Sequence, residues 1–268
     1  MATNNPAFKN PAFAQPNALA VQAASASELQ DMYNRPAAGV QQADRMTVED
    51  TVMKSAVAFG VLVVGALAGW FLGATMPALV FGAAILGFIL AMVNIFKKEP
   101  SAPLILAYAA AQGVFVGGIS YIFEQSAPGI VVQAVLATLT VVGVTLALFA
   151  SGKVRASARA TKVFLVAMVG YLAFSLINMV LMFTGVNDNA FGLRSEPSFI
   201  FGIPWGIIIG VFVVLLAAYS LVLDFDSIKT GVQRGAPRIF AWQAAFGIMV
   251  TVVWLYLEIL RIIGIARN

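Results

Sequence analysis

Seven runs of roughly twenty apolar residues, set apart by short breaks of charge and turn chemistry, constrain this chain more than any other feature. They fall near 55–73, 77–96, 102–123, 129–150, 163–184, 199–223 and 239–263. About 20 such residues in a helix cross the hydrocarbon core of a bilayer, and a helix satisfies its own backbone donors and acceptors there. The breaks have physical causes. Pro77, Lys97 to Pro100, Pro128-Gly129, Lys153 to Lys162, Asn187 to Pro197 and Lys229 to Arg238 are places where charge or turn residues end a lipid-facing helix. The expected fold is therefore all-α, a polytopic membrane protein with seven transmembrane helices. Composition agrees: of 268 residues, 60% are hydrophobic and 10% charged, and the mean hydropathy is +0.90, far from a soluble domain.

The basic residues fix an expected orientation. Of 16 Lys and Arg, 13 lie in the N-terminal tail or in the loops after the second, fourth and sixth runs, and 3 lie on the other side. The positive-inside rule then places the N-terminus in the cytoplasm and the C-terminus outside. The net charge of +4 reports orientation and contact with the lipid bilayer, not nucleic acid.

Residues 1–50 are rich in Ala, Asn, Gln and Pro and repeat the tetrapeptide NPAF at 5–8 and 10–13. No apolar period persists there, so a disordered cytoplasmic tail is expected ahead of a transmembrane domain over 51–268. The repeat reads as low complexity, with a docking motif as the alternative. The tail lacks the layout of a signal peptide, so the first helix is expected to act as an uncleaved signal-anchor.

Glycines four apart mark Gly65, Gly69 and Gly73, Gly113 and Gly117, and Gly202, Gly206 and Gly210. Such stripes let helix backbones approach closely in lipid. Pro204 is expected to kink the sixth helix. The ionisable residues near the windows are Glu124, Asp224, Asp226, Glu258 and Arg261. A charge at mid-bilayer costs about 2.5–3.5 kcal/mol on insertion scales, so each asks for a partner, water or a function. Glu124 reads as a solvated helix end. Glu258 and Arg261, three apart, read as a snorkelling ion pair or as a gate. Asp224 and Asp226, in the stretch LVLDFDSIKTG, are either a helix terminus or functional. Acids at a helix C-terminus oppose its dipole, and two residues apart they point about 200° from one another.

That stretch also carries a resemblance. With TVVWLYLEILRIIG some 25 residues on, and AYAAAQGVFVGGISYIFE in the third helix, the chain is similar to the bacterial branch of the Bax inhibitor-1/YccA-like family of seven-helix membrane proteins over roughly 50–264. Phe225-Asp226-Ser227 matches the family's sixth-helix Tyr-Asp-Thr-Gln type motif, and Ile259 to Gly264 matches its Leu-Leu-Arg-aliphatic-Gly close. The resemblance implies a bacterial plasma-membrane protein in which a sixth-helix aspartate pairs with one in the last helix, as a proton-sensitive latch on a calcium leak. Asp226 takes the first place. The second falls on Thr251, and the second helix holds no arginine to join them. Asp224 with Asp226 supplies both acids, or Glu258 reaches back from two turns beyond Thr251, or the latch is absent. Two carboxylates in a low-dielectric site cannot both ionise cheaply and would share a proton. Their oxygens also suit calcium, with Asp226 and Asp224 as its ligands.

An enzyme is not expected, and no cofactor. The chain has no His and no Cys, the usual bases and ligands of intramembrane hydrolysis. It has no Gly-x-Gly-Asp motif and no lysine in the seventh window that could carry retinal. Two classes remain: a cation leak, with calcium or protons as cargo, or a stress-response or protease-modulating protein that binds other membrane proteins. A leak needs polar residues to converge on one cavity. Its candidate lining is Asn94, Gln112, Asn178, Tyr219 and Asp226.

Overall fold

A computed structural model describes residues 44–187, 189, 191–200 and 202–267. The NPAF repeats and most of the expected tail lie outside the described residues. Seven helices, each long and apolar enough to cross a membrane, follow in order among them: α1 (Val48–Thr75), α2 (Pro77–Phe96), α3 (Ala102–Ser126), α4 (Ile130–Ala150), α5 (Ala158–Phe183), α6 (Trp205–Gln233) and α7 (Phe240–Arg267). Among the described residues a 3-10 turn, Gly192–Ser195, stands between α5 and α6.

Local chemistry sets several boundaries. The Thr47 side chain accepts a hydrogen bond from the amide of Asp50 at the start of α1, and Ser157 does the same for Ala160 in α5. Pro77 opens α2, where its missing N–H costs nothing. Glu124 is not a merely solvated end. Its carboxylate accepts from the amides of Gly129 at 2.6 Å and Val131 at 3.1 Å, capping α4, while Gly129 takes the φ of +83° the turn requires.

The bundle centres on α7. Of its most apolar 18-residue window 56% is buried, against 6% for α5. The glycine stripes do pack helices. A side chain on Gly65 would meet the carbonyl oxygen of Ala110 at 2.7 Å, and one on Gly69 or Gly117 would run into the backbone of Val114 or Ala66. Thus α1 and α3 meet backbone to backbone. At the basic end, Asp50 binds Lys54 at 2.6 Å and Arg238 at 2.9 Å. The Met46 amide donates to the Ala236 carbonyl, so the start of α1 is clasped to the α6–α7 loop.

The sixth helix departs from expectation at both ends. Pro204 caps α6 instead of kinking it, and Gly202, at φ +72°, lies before the helix. The helix continues to Gln233, so Asp224 and Asp226 do not end it. Proline cannot donate within a helix, whereas two acids late in an apolar helix do not break it.

Gly69→Leu and Gly117→Leu are expected to destabilise the protein by about 1–3 kcal/mol or more through overpacking, while Gly143→Ala, with open space around it, leaves stability near wild type. Thermal unfolding in detergent measures both.

Candidate functional site between the last two helices

Antiparallel α6 and α7 pack closely because α6 presents small residues. Gly206 faces Ile265, and Gly210 faces Ile262 and, at 3.6 Å from where a side chain would begin, the Glu258 carboxylate. Along this seam lie two polar stations. Their α7 members, Thr251 and Glu258, are seven residues and about 10 Å apart on one helix face.

The first station is Asp224. Its Oδ2 accepts a 2.7 Å hydrogen bond from the Thr251 hydroxyl, and Thr251 lies 3.4 Å from Ser220 Oγ. Among the described residues Asp224 forms no ion pair. It faces a vestibule of about 380 Å³ at the basic end, bounded also by Met46, Gly231, Ala236 and Gln243. The acid that meets Thr251 is therefore Asp224, not Asp226. Successive residues turn about 100° on a helix, so only one of the two can face α7. Asp226 instead shares a smaller polar recess of about 290 Å³ with Arg155, Lys229 and Gln233. The two aspartates thus line different recesses. No group of three or more acidic, His or Cys side chains suited to a metal occurs among the described residues.

The second station is Glu258, buried to 1% exposure. Its Oε1 accepts from Arg194 at 3.1 Å and its Oε2 from Arg261 at 2.6 Å and from the Tyr171 hydroxyl at 2.6 Å. Arg194 also donates to Tyr171 and to Ser175, each at 3.1 Å, and lies over the rings of Tyr171 and Phe174. Glu258 is thus neither a snorkelling group nor one that reaches back to Thr251. Burial of a carboxylate is tolerated because three donors answer it. Arg194 is positioned by the 3-10 turn, where Gly192 adopts φ +59° against Asn178, and Asn178 accepts from the Leu193 amide at 2.7 Å. Sequence reasoning did not single out Arg194, Tyr171 or Ser175. One signal existed: Arg194 is a basic residue in a loop on the side otherwise poor in them.

Between the stations the seam is apolar, with Val213, Ala217 and Leu255 fully buried. The remaining polar candidates disperse. Asn94 donates to the carbonyls of Leu90 and Leu104, and Gln112 faces Gly87 between α2 and α3. Tyr219 joins Thr161 and Ser157, and Asn178 holds the 3-10 turn. They do not line one cavity.

The geometry defines a class: a multi-pass helical membrane protein with ionisable residues enclosed between its last two helices. A search of curated proteins finds no match. A family model described as Bax inhibitor 1 like matches residues 5–268, and the chain belongs to that family.

Removing one partner from a buried, hydrogen-bonded ion cluster costs about 3–5 kcal/mol. Glu258→Gln, which leaves Arg194 and Arg261 without their acid, is expected to lower stability by that amount in denaturant titrations, whereas Lys98→Met, at an exposed position, stays within about 0.5 kcal/mol.

Proposed function

We propose that the protein is a proton-sensitive cation leak, with calcium as cargo, in which Asp224 held by Thr251 is the latch. The observation that carries this reading is a carboxylate without a cationic partner among the described residues, set between α6 and α7 at the base of a vestibule. A charge so placed persists in a membrane helix where it is hydrated or functional. One carboxylate and two hydroxyls are far fewer than the 6–8 oxygens of a resident calcium site, which suits an ion that passes and does not stay. The apolar layer of Val213, Ala217 and Leu255 would then be the closed barrier. Cargo is moved without chemistry, in keeping with a chain that lacks His and Cys. In this reading the basic end faces the cytoplasm of a bacterial cell and the protein sits in the plasma membrane.

The dispersal of Asn94, Gln112, Asn178 and Tyr219 favours a second reading, a non-transporting protein of stress response or protease modulation that acts by binding other membrane proteins.

Calcium flux into proteoliposomes separates the two. Protonation cancels the charge that draws a cation, so a protein-dependent flux is expected to fall from pH 8 to pH 6. Asp224→Asn is expected to remove that dependence, and Asp226→Asn to keep it. Flux equal to that of empty liposomes at both pH values would refute the leak and leave the binding role.

A further inference from the structure

Glu258 is one carboxylate between two guanidinium groups. Among the described residues of the same loop, the acid Glu196 is turned away toward Asn187 and Asn189. Among the described residues the cluster around Tyr171 therefore keeps one uncompensated positive charge, and an uncompensated charge in an apolar setting is costly. The imbalance sits at an opening. A cavity of about 580 Å³ lies beside α5, with Arg261, Arg194 and Ser175 at its polar part and Met179, Met182 and Phe183 along its apolar wall. Among the described residues, Arg261 makes hydrogen bonds through Nη1 alone, and its side chain is 32% exposed. Arg261 lines the cavity, with the rest of its fork outside these hydrogen bonds.

The wall belongs to the lipid-facing surface. Met179 is 46% exposed and Phe183 85%, and α5 is the least buried of the seven helices. An occupant thus needs an anionic head for the guanidinium and an apolar chain that continues along α5. The volume lies within the 300–1,000 Å³ usual for small-molecule sites, and an arginine fork matches phosphate oxygens.

We propose that this cavity binds one phospholipid with an anionic headgroup, whose phosphate pairs with Arg261 and whose acyl chain lies against Met179 and Phe183. The lipid completes the charge of the Arg194–Glu258–Arg261 cluster and ties α5 to the seam. The site is separate from the Asp224 vestibule and stands whether or not the protein conducts ions.

Native mass spectrometry of the full chain, titrated with phosphatidylglycerol, phosphatidylcholine or inorganic phosphate, tests it. Wild type is expected to bind one phosphatidylglycerol at least roughly tenfold more tightly than phosphatidylcholine: both carry the phosphate, but the choline cation of the second offsets it and meets the cluster's surplus positive charge. Arg261→Gln is expected to abolish the preference. Met179→Trp, which fills the cavity from an exposed position and leaves the charges intact, is expected to weaken binding as much, while Arg267→Gln at the end of the same helix is expected to leave it unchanged. Equal binding of the two lipids, or a preference that survives both Arg261→Gln and Met179→Trp, would overturn the proposal. So would inorganic phosphate binding as tightly as the lipid, which would mark a free-anion site.

Discussion

Close approach of α6 and α7 is the constraint on which the other features depend. Gly206 and Gly210 leave room for Ile265, Ile262 and the Glu258 carboxylate. Without that room the buried acid could not be reached from α5 and the 3-10 turn together. The same seam, followed toward the basic end, brings Asp224 to Thr251. The two stations differ in how their charge is met. Glu258 is answered by three donors and is rigidly placed, whereas Asp224 has a hydroxyl and a vestibule. Under the proposed leak, structural and functional roles divide along that difference, because a fully answered charge holds helices and an unanswered one is free to bind or release a proton or a cation.

The crossings were legible because each rests on a local rule, an apolar run ended by proline, glycine or charge. The glycine stripes were legible as packing faces for the same reason. Which aspartate faces α7 was also within reach of the sequence. Fourteen residues separate Gly210 from Asp224, bringing it to within about 40° of the glycine face, whereas Asp226 lies about 160° away. The family-motif alignment pointed to Asp226, and helical geometry argues for Asp224. The two ends of α6 were misjudged because hydropathy alone marks where lipid begins, not where hydrogen bonding stops.

The Glu258 cluster was not legible. Its members are brought together from 64 and 87 residues away, and nothing in the pattern around Tyr171 or Ser175 sets them apart from other polar residues of an apolar helix. The pairing of Glu258 with Arg261 was visible as an i, i+3 spacing, but the burial of that pair depends on Arg194, which arrives from a loop. Long-range polar contacts of this kind have no periodic signature, so a single sequence shows the residues without their meeting.

The facing of Asp224 toward α7 is the central claim, and proximity crosslinking tests it most directly. The chain has no cysteine, so paired substitutions in the full-length protein report unambiguously. Asp224→Cys with Thr251→Cys, treated in membranes with a short bis-thiol reagent, is expected to crosslink efficiently, and Asp226→Cys with Thr251→Cys to remain uncrosslinked. Efficient crosslinking of the second pair and none of the first would contradict the account and set Asp226, not Asp224, opposite Thr251.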